Sequence, residues 1–181
     1  MYEVEIKVRA GHDAVTDRLA ELDAVPRGTV TQVDTYYDAP DRNFAETDEA
    51  LRVRRERNGD DERTLLTYKG PLVDSASKSR EEAETEVADV DAVREILGSL
   101  GYDPAATVRK ERETYQVDGC TVTLDTIDGL GEFVEVEVSK AVSDREGVDE
   151  AREVAVRVLE SLGLDPDEQI QTSYLGLLLG S

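Results

Sequence analysis

The first nine residues alternate between charged and apolar side chains, and this pattern constrains the fold more than any other feature of the chain. Successive side chains of an extended strand point to opposite faces, so one face here is apolar and the other is charged. The apolar face carries Tyr2, Val4, Ile6 and Val8. The charged face carries Glu3, Glu5, Lys7 and Arg9. Six later segments repeat the pattern, which predicts a sheet with one apolar face and one ionic face.

The order of the segments predicts an antiparallel α+β fold. Eight strands are predicted around residues 1–9, 29–38, 51–54, 64–69, 80–87, 107–117, 121–128 and 133–139. Asn58-Gly59 and Asp118-Gly119 are typical of tight hairpin turns, whereas Gly70-Pro71 is expected to end a strand. Apolar residues at helical spacing predict helices within 15–22, 93–100 and 148–162, and Pro26 with Gly28 is expected to stop the first of them.

Composition limits the classes of protein to which the chain can belong. It has 181 residues, with 42 acidic and 21 basic side chains and a formal charge of −21. One domain over residues 1–181 is expected, because no tract rich in Pro, Gly or Ser divides the chain. Such an acidic surface repels nucleic acid and anionic membranes, so neither is expected as a partner. The acid excess also suggests a protein that works in strong salt, which screens repulsion between carboxylates.

The single cysteine and the single histidine give little support for chemistry of their own. Cys120 alone cannot form an internal disulfide or a zinc site with several cysteines. No signal peptide and no apolar run of membrane-spanning length is recognised, so a cytoplasmic protein is expected. We interpret Cys120, after its turn, as structural, and His12 as a surface or capping residue.

Charged residues of both signs recur on one parity of the predicted strands. They are Glu3, Glu5, Lys7, Arg52, Arg54, Lys69, Arg80, Glu82, Glu84, Lys110, Arg112, Asp125, Glu135 and Glu137. Three of the five lysines of the chain fall in this set. Solvated strands or mutually neutralising salt bridges would produce the same pattern. Enclosing so many charges is costly, however, unless a ligand or an ion compensates them.

A polyphosphate bound together with a divalent metal would satisfy charges of both signs. Carboxylate oxygens are the preferred ligands of Mg²⁺ and Mn²⁺, and Arg and Lys bind phosphate oxygens. The carboxylates suited to the metal are Glu3, Glu5, Asp125, Glu135 and Glu137. The chain lacks a Gly-x-x-x-x-Gly-Lys loop, so we expect side chains on strands to hold the phosphates.

With these features the sequence resembles the CYTH superfamily, also called triphosphate tunnel metalloenzymes. The resemblance is carried by Glu3-Val4-Glu5-Ile6-Lys7, Arg52-Val53-Arg54, Lys69-Gly70-Pro71, Lys110-Glu111-Arg112, Leu124-Asp125 and residues 129–137, in family order. It implies a closed eight-stranded antiparallel β-barrel, a tunnel around a triphosphate, with helices packed outside. The charged parity would then line the interior of the barrel.

Within this superfamily the chain is most similar to the class IV adenylyl cyclases. The similarity lies in Asp34-Thr35-Tyr36-Tyr37-Asp38, Lys69-Gly70-Pro71, Leu100-Gly101-Tyr102 and the closing Ser173-Tyr174 with Leu177-Leu178. It implies conversion of ATP to cyclic AMP and pyrophosphate. Related proteins hydrolyse thiamine triphosphate, inorganic triphosphate or RNA ends, so a triphosphatase remains an alternative. A non-catalytic binder of polyphosphate or nucleotide is the third hypothesis.

The resemblance also implies a role for each charged position. The metal-side carboxylates, for Mg²⁺ or Mn²⁺, would be Glu3, Glu5, Asp125, Glu135 and Glu137. The phosphate-binding residues would be Lys7, Arg52, Arg54, Lys69, Arg80, Lys110 and Arg112. Those expected to take part in catalysis are Glu5, Lys7, Lys69, Lys110 and Arg112. The substrate would be a small-molecule triphosphate, and the oligomeric state stays open, with a homodimer among the options.

Overall fold

The computed structural model describes residues 2–74, 78–140 and 142–180, and within them it contains eight strands and five α-helices. The strands are β1 (Tyr2–Arg9), β2 (Val25–Asp38), β3 (Ala50–Asn58), β4 (Asp61–Asp74), β5 (Lys78–Val87), β6 (Asp103–Val117), β7 (Cys120–Ile127) and β8 (Gly131–Val138). The helices are α1 (His12–Glu21), α2 (Phe44–Thr47), α3 (Val90–Ser99), α4 (Arg145–Ser161) and α5 (Tyr174–Leu178), with a 3₁₀ turn at Pro166–Glu168.

The eight strands form a closed antiparallel barrel in the order β1-β5-β4-β3-β2-β6-β7-β8. Five of the eight neighbouring pairs are consecutive along the chain, and β1 closes the barrel because its two ends pair with different strands. Residues Tyr2 to Glu5 pair with β5, and Glu5 to Arg9 pair with β8. The predicted α+β fold with a closed barrel and outer helices is confirmed.

Alternation along the strands turns the predicted charged face to the interior of the barrel, and on β1 it separates this face from an apolar exterior. On β1, Glu5 and Lys7 point inward and are 3% and 1% exposed, while Val4 and Ile6 point outward and are 1% exposed beneath the helices. Both faces of this strand are therefore buried, which is unusual for ionic side chains unless their charges are compensated. The predicted separation of the two parities holds on β1, β7 and β8, whereas the outer faces of β5 and β6 carry exposed charges such as Glu81 and Glu111.

Helices cover most of the outer apolar face. Val15 and Leu19 of α1 pack with Val158 and Leu159 of α4 over the outer side chains of β1, β7 and β8. The helix α4 is capped at its N-terminus by Asp144, whose side chain accepts a hydrogen bond of 2.8 Å from the backbone N–H of Gly147. None of the helices in the described ranges is long and apolar enough to cross a membrane.

Two strands continue through Pro and Gly residues that the sequence predicts to lie outside a strand. The strand β4 runs through Gly70-Pro71 to Asp74 instead of ending at Lys69. Its pairing with β5 shifts register after Lys69, and this irregularity accommodates a proline that has no N–H to donate. The strand β2 begins at Val25 and so includes Pro26 and Gly28, which were expected to act as stop signals after the first helix. The register of β2 against β6 shifts between these two residues, so they form a bulge at the start of the strand.

Candidate active site

The barrel encloses a cavity of about 690 Å³ whose walls carry charges of both signs. The predicted site residues that line it are Glu3, Glu5, Arg52, Arg54, Lys69, Arg80, Lys110, Arg112, Glu135 and Glu137. The other two predicted residues, Lys7 and Asp125, lie behind this lining and are 1% and 0% exposed. The structure thus gathers all the predicted positions in and around one cavity.

Three of the five carboxylates assigned to a metal form a compact cluster. Glu3, Glu5 and Glu137 each offer an oxygen, and these oxygens lie within 4.8 Å of one another. Antiparallel pairing of β1 and β8 sets Glu5 opposite Glu137. Burial, followed by the negative charges of Glu3 and Glu5, raises the pKa of Glu137 to about 8. A divalent cation would relieve this repulsion, so the three residues fit the hard-oxygen site of Mg²⁺ or Mn²⁺.

Lys69 stands next to this cluster and connects it to the cationic side of the cavity. Its Nζ lies 2.6 Å from Glu3 Oε2 and 3.1 Å from Glu82 Oε2. Burial lowers the pKa of Lys69, but Glu3, Glu5 and Glu82 raise it, and the net pKa lies above the ordinary value. Lys69 therefore remains a cation beside the carboxylates.

The other two predicted metal ligands, Asp125 and Glu135, are not part of this cluster and are held by Arg112. Arg112 donates from Nε and Nη2 to the two oxygens of Asp125, at 2.7 and 2.6 Å. Nη2 also donates to Glu135 Oε2 at 2.7 Å. The hydroxyl of Tyr174 donates to Asp125 Oδ2 at 2.8 Å. The structure thus divides the five carboxylates into an acidic trio and an arginine-bound pair.

Asp34, which the sequence prediction did not assign to the site, pairs with the two inward-facing arginines of β3, Arg52 and Arg54. Arg54 makes a two-pronged ion pair with it, at 2.7 and 2.8 Å, and Arg52 Nη1 lies 3.8 Å from Asp34 Oδ2. Burial raises the pKa of Asp34, but the positive charges of Arg54 and then Arg52 lower it by more than burial raises it. The net pKa therefore lies well below the usual range. Its parity on β2, shared with Gln32 and Tyr36, was the signal that could have identified it.

Arg80 and Arg52 retain hydrogen-bonding capacity toward the cavity. Arg80 makes two contacts with Asp48 that are long for hydrogen bonds: Nη1 lies 3.3 Å from the carbonyl oxygen, and Nη2 lies 3.4 Å from Oδ1. The Nε atoms of Arg80 and Arg52 are buried and donate to no acceptor in the described part of the chain. Arg52 Nη2 lies 3.8 Å from Glu84, too far for a hydrogen bond. A ligand with several anionic oxygens could satisfy these donors.

Lys7 and Lys110 approach the site from β1 and β6. Lys7 Nζ donates to the carbonyl oxygen of Thr172 at 2.7 Å. Both ammonium groups lie over the ring of Tyr174, at 4.2 Å for Lys7 and 5.1 Å for Lys110. Burial, then the positive charges of Arg112 and Arg54, lowers the pKa of Lys110 well below its ordinary value. An incoming anion would reverse that balance and favour the charged lysine.

The single histidine and the single cysteine lie outside the cavity. His12 Nε2 and the carbonyl oxygen of Phe133 are 2.9 Å apart, and Nδ1 is 3.5 Å from Glu132. Cys120 is fully buried, and burial raises the pKa of its thiol to about 11. Neither residue lines the cavity, so the charged side chains dominate its chemistry.

Comparison with known proteins agrees with this geometry. The sequence profile described as "CYTH domain" matches residues 1–174. The chain is 38% identical, over 98% of both sequences, to a protein named "Putative adenylate cyclase MJ0240" from Methanocaldococcus jannaschii. It is 30% identical to adenylate cyclase CyaB of Aeromonas hydrophila, over 76% of this chain and 69% of that protein. The structure of the PH1819 protein from Pyrococcus horikoshii superimposes with a TM-score of 0.91 at 39% identity, over 98% of both chains.

Proposed function

The chain belongs to the CYTH family, and we propose that it is a metal-dependent enzyme that converts ATP to cyclic AMP and pyrophosphate. The observation that carries this proposal is the cavity itself, in which a trio of carboxylates faces a wall of Arg and Lys side chains. A triphosphate with a bound divalent cation has the matching distribution of charge. The names of the two curated relatives further support a cyclase.

We assign Mg²⁺ or Mn²⁺ to the carboxylates of the cavity. Glu3, Glu5 and Glu137 would hold the ion, because their oxygens already converge. Asp125 and Glu135 complete the proposed metal side, next to Arg112, which would engage phosphate. When bound, the ion would supply Lewis acidity, which lowers the pKa of the ribose 3′-hydroxyl and stabilises the departing pyrophosphate.

The cations are proposed to bind and orient the triphosphate. The phosphate-binding set is Lys7, Arg52, Arg54, Lys69, Arg80, Lys110 and Arg112. Charge-assisted hydrogen bonds from these residues would hold the chain of phosphates extended across the barrel. Within the set, Lys7, Lys69, Lys110 and Arg112 would also stabilise the charge that grows on the leaving pyrophosphate, together with Glu5 on the metal side.

Positioning and electrostatics are sufficient for this reaction, and we propose no histidine base. A ribose hydroxyl held next to the α-phosphate attacks intramolecularly, which removes much of the entropic cost of the reaction. The substrate is thus a small-molecule triphosphate rather than nucleic acid, in keeping with the charge of −21. We further propose that residues 1–181 act as a single domain, and, because Cys120 forms no internal disulfide, that the enzyme works in the cytoplasm.

A triphosphatase is the second candidate, because the acidic trio suits hydrolysis as well as cyclisation. Glu137 adds a third carboxylate to Glu3 and Glu5, and such a cluster could serve hydrolysis as well as cyclisation. In that case water would replace the ribose hydroxyl as nucleophile. The two candidates use the same cavity and differ in their products.

Product analysis tests the proposal. The protein is incubated with ATP, inorganic triphosphate or thiamine triphosphate, each with Mg²⁺ or Mn²⁺, and the products are identified by chromatography. We expect cyclic AMP and pyrophosphate from ATP. Release of orthophosphate instead would show that the protein is a triphosphatase and not a cyclase. Tight binding without any product would show that it is a non-catalytic binding protein.

Variants of the carboxylates test whether the cavity is responsible for the turnover. Glu5→Gln and Glu135→Gln each remove a negative charge at nearly constant volume, and we expect turnover to fall by about 100-fold or more. Glu81→Gln is the matched control, because Glu81 is exposed on β5 and does not line the cavity. Full activity of the Glu5 and Glu135 variants would remove both residues from the mechanism.

A further inference from the structure

Tyr174 is a buried residue of the last helix whose ring lies inside the barrel. It is 6% exposed and packs edge-on against Phe133, with ring centroids 5.1 Å apart and an interplanar angle of 66°. Val108 and Ile127 complete the apolar group around it. Phe133, Val108 and Ile127 share the strand parity of Glu135, Lys110 and Asp125. The segment that ends the chain therefore fills part of the interior with an aromatic ring.

The ring makes a direct contact with two of the cations. Lys7 Nζ lies 4.2 Å and Lys110 Nζ lies 5.1 Å from its centroid, both within cation–π range. Lys7 and Lys110 are 1% and 4% exposed, and such contacts are strongest when the cation is removed from water. The negative face of one ring thus offsets part of the cost of enclosing two ammonium groups.

The hydroxyl and the neighbouring backbone fix further parts of the site. Tyr174 Oη donates to Asp125 Oδ2 at 2.8 Å, and the same oxygen accepts from Arg112 Nη2 at 2.6 Å. Two residues earlier, the carbonyl oxygen of Thr172 accepts from Lys7 Nζ at 2.7 Å, and the N–H of Ile170 donates to the carbonyl oxygen of Lys7 at 2.7 Å. The C-terminal segment is therefore anchored to the site at the side chain and the backbone of Lys7.

We propose that Tyr174 is a positioning residue for the phosphate-binding cations. Its ring holds Lys7 and Lys110, and its hydroxyl holds Asp125 against Arg112. Lys110 and Arg112, which line the cavity, and Lys7 directly behind the lining thus keep fixed orientations toward the substrate. The inference rests on the proposed function, because it assigns these cations to a triphosphate. Pre-organised groups lose less conformational entropy on binding, so Tyr174, which also lines the cavity, contributes to affinity through the cations that it holds.

A graded change of the ring separates this role from simple packing. Tyr174→Phe keeps the ring and removes the hydroxyl, and site-specific 3,4,5-trifluorophenylalanine keeps the shape but withdraws charge from the ring face. Tyr174→Met keeps an apolar side chain of similar reach without a π face. Packing alone predicts similar binding by the two phenylalanine forms. Positioning predicts a loss of binding that follows the charge on the ring face.

The readouts are the Kd for inorganic triphosphate with Mg²⁺, by calorimetry, and kcat and KM for the preferred substrate. We expect Tyr174→Phe to stay within about threefold of the wild-type Kd, and the trifluoro and Met forms to bind about tenfold more weakly, since each cation–π contact is modest. With the preferred substrate, the weaker binding should raise KM more than it lowers kcat. Tyr115→Phe and Tyr115→Met are matched controls, because Tyr115 donates to Glu113 and does not line the cavity.

The outcomes separate this inference from the proposed function. If the wild type binds triphosphate and the trifluoro form binds equally well, the positioning role is wrong and the proposed function stands. If Tyr174→Phe is as impaired as the trifluoro form, the cation–π role of the ring is wrong and the proposed function still stands, because the loss would then follow the missing hydroxyl and not the charge on the ring face. If the wild type binds no triphosphate, the proposed function fails and this inference fails with it. The phenylalanine forms decide the matter even if Tyr174→Met does not fold.

Discussion

Glu137 illustrates how one side chain couples folding to ion binding. Its carboxyl is held next to Glu3 and Glu5 in a buried cluster, and its pKa is raised to about 8. Between about pH 5 and 8 the folded, metal-free protein therefore retains a proton that the unfolded chain has released. The free energy of unfolding consequently falls as the pH rises through this range.

Glu137→Gln should remove this dependence, because the amide stays neutral at every pH. We expect the metal-free variant to be more stable than the wild type at pH 9 by roughly 1–3 kcal/mol, and much closer to it at pH 5. Urea unfolding in a chelator at both pH values measures the difference. Glu81→Gln, at an exposed position, should leave the pH profile unchanged. If the free energy of unfolding of Glu137→Gln depended on pH as it does in the wild type, the raised pKa of Glu137 would not be its cause.

The residues missed by sequence interpretation have a common physical cause. Asp34 and Tyr174 were visible as part of motifs, but neither carried a role until its partners were known. Asp34 is held by Arg54, which lies 20 positions away, and Tyr174 contacts Asp125, 49 positions away. Alternation predicts the face on which a residue lies, whereas its partner depends on which strands and helices the fold places next to each other.

At the scale of the element, α4 supports the barrel without entering the cavity. Its buried side chains, Val158 and Leu159 among them, pack against the outer apolar face of the strands whose inner face carries the site. The helix should therefore determine stability, and affect catalysis only through the fold.

Leu159→Ala tests this division. Leu159 is fully buried, and its truncation should lower the free energy of unfolding by about 2–5 kcal/mol through lost burial and a cavity. At a temperature where the variant is folded, kcat and KM should stay within about twofold of wild type, since less than 1 kcal/mol would then reach the site. Glu153→Ala, on the exposed face of α4, is the control for both measurements. A large loss of kcat in folded Leu159→Ala would connect α4 to the chemistry.

The limits of β4 show where element prediction fails. Gly70-Pro71 is a strong signal for the end of a strand, and yet β4 continues to Asp74. The register of β4 against β5 shifts at this point, so the missing N–H of Pro71 costs the ladder little. The local signal was overridden because the chain beyond Pro71 still pairs with β5, where Leu72 lies opposite Arg80.

The whole molecule carries a net charge of −21, and most of its carboxylates lie on the outer surface. Repulsion between exposed like charges destabilises the folded state and is screened by salt, whereas buried pairs such as Asp34 and Arg54 are screened much less. The acidic exterior should therefore control the response of stability to salt.

We expect the free energy of unfolding to rise by roughly 1–3 kcal/mol between 0.1 and 2 M KCl. Urea unfolding at a fixed pH of 7.5 measures the rise. Sucrose at matched osmolality provides the control, since it adds no screening. A protein that is most stable and most active in dilute buffer would refute adaptation to strong salt.

The sequence by itself determined which side chains lie inside the barrel, because the side-chain period of a strand is two and Glu5, Lys7, Arg52 and their counterparts keep one parity. It also determined the number of strands and the chemistry that such an interior can hold. Only the tertiary structure decided which charges meet. Glu137 joins Glu3 and Glu5, while Asp125 and Glu135 turn to Arg112, because strand order and register bring distant residues together and the local pattern contains no information about either.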